Sequence, residues 1–75
     1  MKNRIKEIFE NSTGISSDKY DENSKFMDDL GLDSLDLIDV IMTCEKEFGI
    51  IIPDEAVVHM KTVGDLINYI EERCS

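Results

Sequence analysis

The segment from Ser34 to Phe48 constrains the fold more than any other, because it carries more apolar surface than one small core can take. Set at helical steps, Leu37, Val40, Ile41, Cys44 and Phe48 fall on one side. Leu35, Ile38 and Met42 fall nearly opposite, together with Asp39 and Lys46. A helix apolar on both sides is either central to a large core or keeps a stripe for binding. A chain of 75 residues cannot bury it all round. Such a core supplies roughly 3–5 kcal/mol at most without extra fastening. The first face is therefore expected inward. The second could pack under a loop. Its rim of carboxylates favours the other reading, an exposed stripe with the composition of a transient docking patch.

The same helix has a strong start signal, Asp29-Leu30-Gly31-Leu32-Asp33-Ser34-Leu35-Asp36. Gly31 permits a turn that most residues resist. Asp33 or Ser34 can cap the helix by accepting from its free N–H groups. Asp36 lies three residues after Asp33, the spacing of a variant capping box. If Asp33 is the cap, the Ser34 hydroxyl is left free at a helix N-terminus, ringed by carboxylates.

The remaining pattern is helical too. Ile5, Ile8 and Phe9 mark one face of a first helix over about Lys2 to Ser12, with Thr13-Gly14 as its stop and Ile15 packing back. A long polar loop follows, anchored by Tyr20 and then by Phe26, Met27, Leu30 and Leu32. Gly49 closes the second helix. Ile50-Ile51-Ile52 is too isolated to pair in a sheet. Pro53-Asp54-Glu55 opens a short helix to about Met60, with proline at its first position. Thr62-Val63-Gly64-Asp65 has the form of a capping box. It starts a last helix to about Arg73, with Val63, Leu66, Ile67 and Ile70 inward and Tyr69 half-buried; Cys74 and Ser75 are expected to fray. The fold class is all-α, with three main helices, a short third helix and a long first loop, in one domain spanning 1–75.

Seventeen acids against eight bases leave a net charge of −9, which disfavours nucleic acid. The acids crowd between Ser16 and Asp39, either a solvated surface or a docking face for basic partners. Cys44 and Cys74 form no disulfide framework and have no metal-ligand spacing. The carboxylates at Asp28, Asp29, Asp33 and Asp36 do not fit an EF-hand loop, so no metal site is expected. Without a signal-peptide pattern or a membrane-length apolar run, a reducing, cytoplasmic location and no membrane insertion are expected. No catalytic residue stands out. His59 is the only histidine and has no second base near it in sequence; Ser34 has no histidine or lysine at helical spacing; Cys44 lies on the core face.

Asp29-Leu30-Gly31-Leu32-Asp33-Ser34-Leu35-Asp36 resembles the D-L-G-x-D-S-L-D signature of acyl carrier proteins. The resemblance continues through Glu45-Lys46-Glu47-Phe48-Gly49-Ile50, Ile52-Pro53-Asp54-Glu55 and Thr62-Val63-Gly64-Asp65, covering almost the whole chain in order. It implies a four-helix bundle that is not itself an enzyme. It implies that a phosphopantetheinyl transferase joins 4'-phosphopantetheine from coenzyme A to Ser34. Acyl groups would then ride as thioesters to acyl-transfer and fatty-acid, specialised lipid or polyketide synthesis enzymes. On this resemblance, Asp33, Asp36, Asp39 and Glu45 meet basic docking patches, while Leu35, Ile38 and Met42 give apolar contact beside the arm. Such an interface should be small and quick to dissociate. The cargo would fold inward against residues such as Phe26, Leu37, Ile41 and Cys44, and the carrier is expected to be a monomer.

Some positions depart from the family pattern. The third helix is less acidic than in typical fatty-acid carriers. Lys46 stands where an acid is common, Ile51 where a polar residue is common, and Cys44 where a larger aliphatic is usual. Primary fatty-acid synthesis and a specialised pathway both stay open. The rival readings are a carrier for amino acids (D-alanyl or peptidyl) and an acidic helical interaction module in which Ser34 is only a cap. Peptidyl carriers usually show a G-G-x-S type motif, which Leu32-Asp33-Ser34-Leu35 does not match.

Overall fold

Among the described residues, four helices follow one another along the chain. The computed structural model describes residues 1–74. Helix α1 spans Lys2–Thr13, α2 Ser34–Phe48, α3 Asp54–Val57 and α4 Val63–Cys74. A single 3₁₀ turn, Ser17–Lys19, interrupts the long first loop, and the described residues form no strand. Helix α1 packs against both α2 and α4.

The apolar periodicity explains this packing. Ile5, Ile8 and Phe9 of α1 meet Leu37, Val40, Ile41 and Cys44 of α2 and Val63, Leu66, Ile67 and Ile70 of α4 in one buried core. No charged or polar side chain is buried with them among the described residues. Gly14 and Gly49 end α1 and α2 in the left-handed conformation, each donating its N–H back to a carbonyl of the last turn. On the surface, the Arg4 guanidinium grips both carboxylate oxygens of Glu47, at 3.0 and 2.8 Å, tying the start of α1 to the end of α2.

The long loop is pinned rather than loose. Tyr20 stacks edge-on against Phe9 at 4.9 Å and donates its hydroxyl to Glu10 at 2.6 Å. Phe26 is buried in the core. Three backbone bonds then strap the loop to the start of α4: Phe26 N–H to the Lys61 carbonyl (2.9 Å), Val63 N–H to Ser24 (3.1 Å) and Gly64 N–H to Glu22 (2.8 Å). Gly64 is required by this approach, since a Cβ there would lie 2.9 Å from the Glu22 carbonyl oxygen. Thr62 and Asp65 cap α4 reciprocally: the Asp65 N–H donates to Thr62 Oγ1 and the Thr62 N–H to Asp65 Oδ2, both at 3.1 Å.

Four details differ from the sequence reading. Helix α3 stops at Val57 instead of Met60, because His59 and Met60 donate three residues back, to Ala56 and Val57. This tighter winding turns Met60 into the core. Pro53 is the N-cap of α3 and not its first residue, and its carbonyl accepts from Ala56 and Val57. Met27 does not anchor the loop; it stands half-exposed. Cys74, expected to fray, closes α4 and packs partly against the core. The same expectation for Ser75 lies outside the described residues.

Candidate functional site

Ser34 sits where the long loop becomes α2, and a set of local bonds fixes that junction. Asp29 and Leu30 donate their N–H groups to the Lys25 carbonyl at 3.0 and 3.1 Å. The Lys25 N–H donates to Asp29 Oδ2 at 2.8 Å, and the Leu32 N–H reaches back to Phe26 at 3.0 Å. Gly31 makes the turn between them at φ 67°, a conformation that side chains resist. The buried Phe26 ring thus holds the turn that delivers Ser34.

Asp33, not Ser34, caps α2. Asp33 Oδ1 accepts from the Asp36 N–H at 2.9 Å, and Asp36 Oδ2 accepts from the Asp33 N–H at 3.3 Å. This reciprocal box satisfies the helix end with carboxylates, which the positive end of the helix dipole also favours. Ser34 is the first helical residue, it is exposed, and its hydroxyl takes no part in the cap.

The second apolar face of α2 is not covered by the loop. Leu35 is 75% exposed, Ile38 44% and Met42 51%. Asp36 and Asp39 are exposed between them. Glu45 is different: its Oε2 accepts the Ile52 N–H at 2.8 Å, so it holds the α2–α3 connection.

Beside Ser34 lies an open groove of about 1000 Å³. Its apolar wall includes Phe26, Leu37 and Ile41, with Ile52, Val57 and Met60 contributed by the α3 side. Cys44 does not line it; that side chain is wholly buried in the core. Burial, with Glu47 and Glu45 nearby, pushes the Cys44 thiol up to about 11, so it is a packed apolar group and not a nucleophile. His59 is exposed on the turn that follows α3 and does not line the groove. The α3-side wall was not picked out as a binding surface in the sequence, although its apolar run Ile50-Ile51-Ile52 was visible there.

Known proteins resemble this chain along most of its length. Residues 3–70 match the family model described as the phosphopantetheine attachment site. The chain belongs to the acyl carrier protein family. It is 49% identical over 69 residues to an acyl carrier protein of Zymomonas mobilis, covering 92% of this chain and 88% of that one. It is also similar to a solution structure from Anaplasma phagocytophilum assigned as an acyl carrier protein, with a TM-score of 0.88 and 28% identity, covering 99% of this chain and 88% of that one. Members of the family are non-catalytic carriers that hold phosphopantetheine and are acted on by a phosphopantetheinyl transferase and by biosynthetic enzymes. The residues here fit that group: an exposed hydroxyl released from capping duty stands at a helix N-terminus, next to an apolar groove. No described helix is long and apolar enough to cross a membrane.

Proposed function

We propose that Ser34 is the attachment point of the 4'-phosphopantetheine arm, and that the chain carries acyl groups as thioesters between biosynthetic enzymes. The observation that carries this reading is the division of labour at the start of α2. Asp33 and Asp36 satisfy the helix end between them, and the neighbouring hydroxyl is exposed at the groove. A serine needed as a cap would have to give up that bond when modified; this one does not.

Each surrounding residue has a role in the reading. The Ser34 oxygen attacks the phosphorus of coenzyme A that bears the pantetheine. The pyrophosphate P–O bond on that phosphorus breaks, the adenosine bisphosphate half leaves with the bonding electrons, and the serine proton passes to a base of the transferase. The free N–H groups of the first turn of α2 would stabilise the negative charge of that phosphate. The bound arm supplies the thiol on which acyl groups are held. Leu37, Ile41, Val57 and Met60 give an acyl chain an apolar wall and keep water from it. Such a wall favours a fatty or polyketide-like acyl group over an amino acid. Leu35, Ile38 and Met42 offer apolar contact to a partner enzyme, while Asp36 and Asp39 attract a basic patch on it.

The test is to load the protein with an acylated arm and treat it with hydroxylamine. The reading expects the acyl mass to leave and the arm to remain on the peptide containing Ser34. An acyl group that resists hydroxylamine, or that maps to another residue, overturns it.

A further inference from the structure

The chain has four methionines, and three of them, Met27, Met42 and Met60, line the groove. Their exposures separate them sharply. Met60 is 5% exposed at the floor, whereas Met27 and Met42 are 52% and 51% exposed on the rim. Met27 lies on the hydrogen-bonded turn that delivers Ser34, and Met42 lies farther along α2 on the face shared with Leu35 and Ile38. A thioether is apolar and adaptable, which suits a groove that takes a flexible chain. It is also the apolar side chain that a peroxide turns polar in one step.

We propose that Met27 and Met42 form an oxidation-sensitive rim, at which peroxide weakens the groove's hold on apolar chains. As applied to acyl cargo, the proposal rests on the carrier reading above. In the reaction the sulfur lone pair attacks one peroxide oxygen and the O–O bond breaks. An S–O bond forms, and the departing hydroxide takes up the remaining proton to leave as water. Sulfur is oxidised by two electrons and the peroxide is reduced. The sulfoxide is a polar acceptor. An apolar chain laid across it strips its water, and Leu37, Ile38 and Ile41 have no donor to replace it. Sulfoxide reductases reverse the change, so the rim can be restored.

The cysteines do not confuse the effect. Cys44 is buried in the core and Cys74 is outside the groove lining. Brief thiol treatment reduces a cysteine disulfide or sulfenate and leaves methionine sulfoxide in place.

The experiment treats the protein with graded hydrogen peroxide, then thiol, and maps oxidation by peptide mass. A neutral apolar dye, Nile red, reports on the groove without needing the arm. Hydroxylamine release of a dodecanoyl thioester, against an acetyl one, reports on cargo. Met27 and Met42 should oxidise at least about tenfold faster than Met60, because burial denies access. Dye affinity should then fall about tenfold, the scale for dehydrating an unpaired polar group. Dodecanoyl release should quicken while acetyl release does not. M27L/M42L, compared with its own untreated baseline, should lose neither property. Dye binding that is absent in the untreated protein, that survives full oxidation of both residues, or that falls equally in M27L/M42L overturns the proposal. Dye loss on oxidation, in a protein that accepts no arm, would support the rim and count against the carrier reading. An arm on Ser34 with dye and thioester unmoved by oxidation would do the reverse.

Discussion

Replacing Gly64 by alanine sets two physical effects against each other, and the structure decides which wins. Gly64 lies in the first turn of α4, so helix propensity alone predicts a gain of about 1 kcal/mol. The new Cβ, however, would stand 2.9 Å from the backbone oxygen of Glu22, where ordinary contact begins at 3.4 Å. Backbone cannot rotate away as a side-chain tip can. The loop must retreat, and the 2.8 Å bond from the Gly64 N–H to that same oxygen must lengthen. Overpacking costs about 1–3 kcal/mol and the weakened bond about 1 kcal/mol more. The net expectation for Gly64→Ala is a loss of about 1–3 kcal/mol. In a domain of 75 residues that lowers Tm by roughly 6–19 °C. Thermal unfolding followed by circular dichroism, with urea titration to confirm two-state behaviour, reads it directly. An unchanged or higher Tm would show that the strap between the loop and α4 is not held tightly, and the reasoning would be refuted.

Other substitutions separate the remaining roles. Asp33→Ala should cost about 0.5–2 kcal/mol in urea unfolding by removing the cap of α2, whereas Ser34→Ala should stay within about 0.5 kcal/mol; equal losses would mean that Ser34 shares the cap. Asp39→Lys should slow association with a phosphopantetheinyl transferase about severalfold at low salt and much less at high salt, read by stopped-flow; a salt-independent rate would leave the acidic face as plain solvated surface. The hydrogen bond and charge of Arg4 hold the Glu47 carboxyl below its ordinary range. A depressed folded value means that this contribution is present above the ordinary carboxylate range and is lost as pH falls through the lowered one. The Tm gap between wild type and Arg4→Ala should therefore be widest near neutral pH and close in acid; a gap that persists there would show that packing of the Arg4 stem, not the ion pair, is what matters.

Much of this protein could be read from residue patterns, because its strongest signals are local. The bounds of α2 follow from the Asp33–Asp36 box at one end and Gly49 at the other, both set by chain-neighbouring bonds. The inward faces of α1, α2 and α4 follow from helical spacing and are the faces buried. The exposed stripe Leu35, Ile38 and Met42 was legible as surplus apolar surface. What the pattern hid depends on distant contacts. The strap from Glu22, Ser24 and Phe26 to residues 61–64 joins segments far apart in sequence, so the reason for Gly64 was invisible. Met27 looks like an anchor in a row of apolar residues, yet the turn around Lys25 and Asp29 leaves it half-exposed. Cys44 seemed a candidate for the cargo wall because it shares a face with Leu37 and Ile41. It is wholly buried and misses the groove, as the other two, each slightly exposed, do not. The acids read alike in the sequence, but Asp33, Asp36 and Glu45 each hold backbone, which leaves Asp39 as the one of the four acidic docking candidates whose carboxylate makes no hydrogen bond, among the described residues, that keeps it from a partner.

The central claim is that the hydroxyl freed by the Asp33–Asp36 box is the one that receives the arm. Its most direct test is the intact mass of wild type and Ser34→Ala after incubation with coenzyme A and a broad-specificity phosphopantetheinyl transferase, starting from protein shown to be unmodified. The account predicts one added phosphopantetheine on the wild type and none on the variant, with both folded. A wild type that gains no mass, or a variant that gains the same mass, would contradict it.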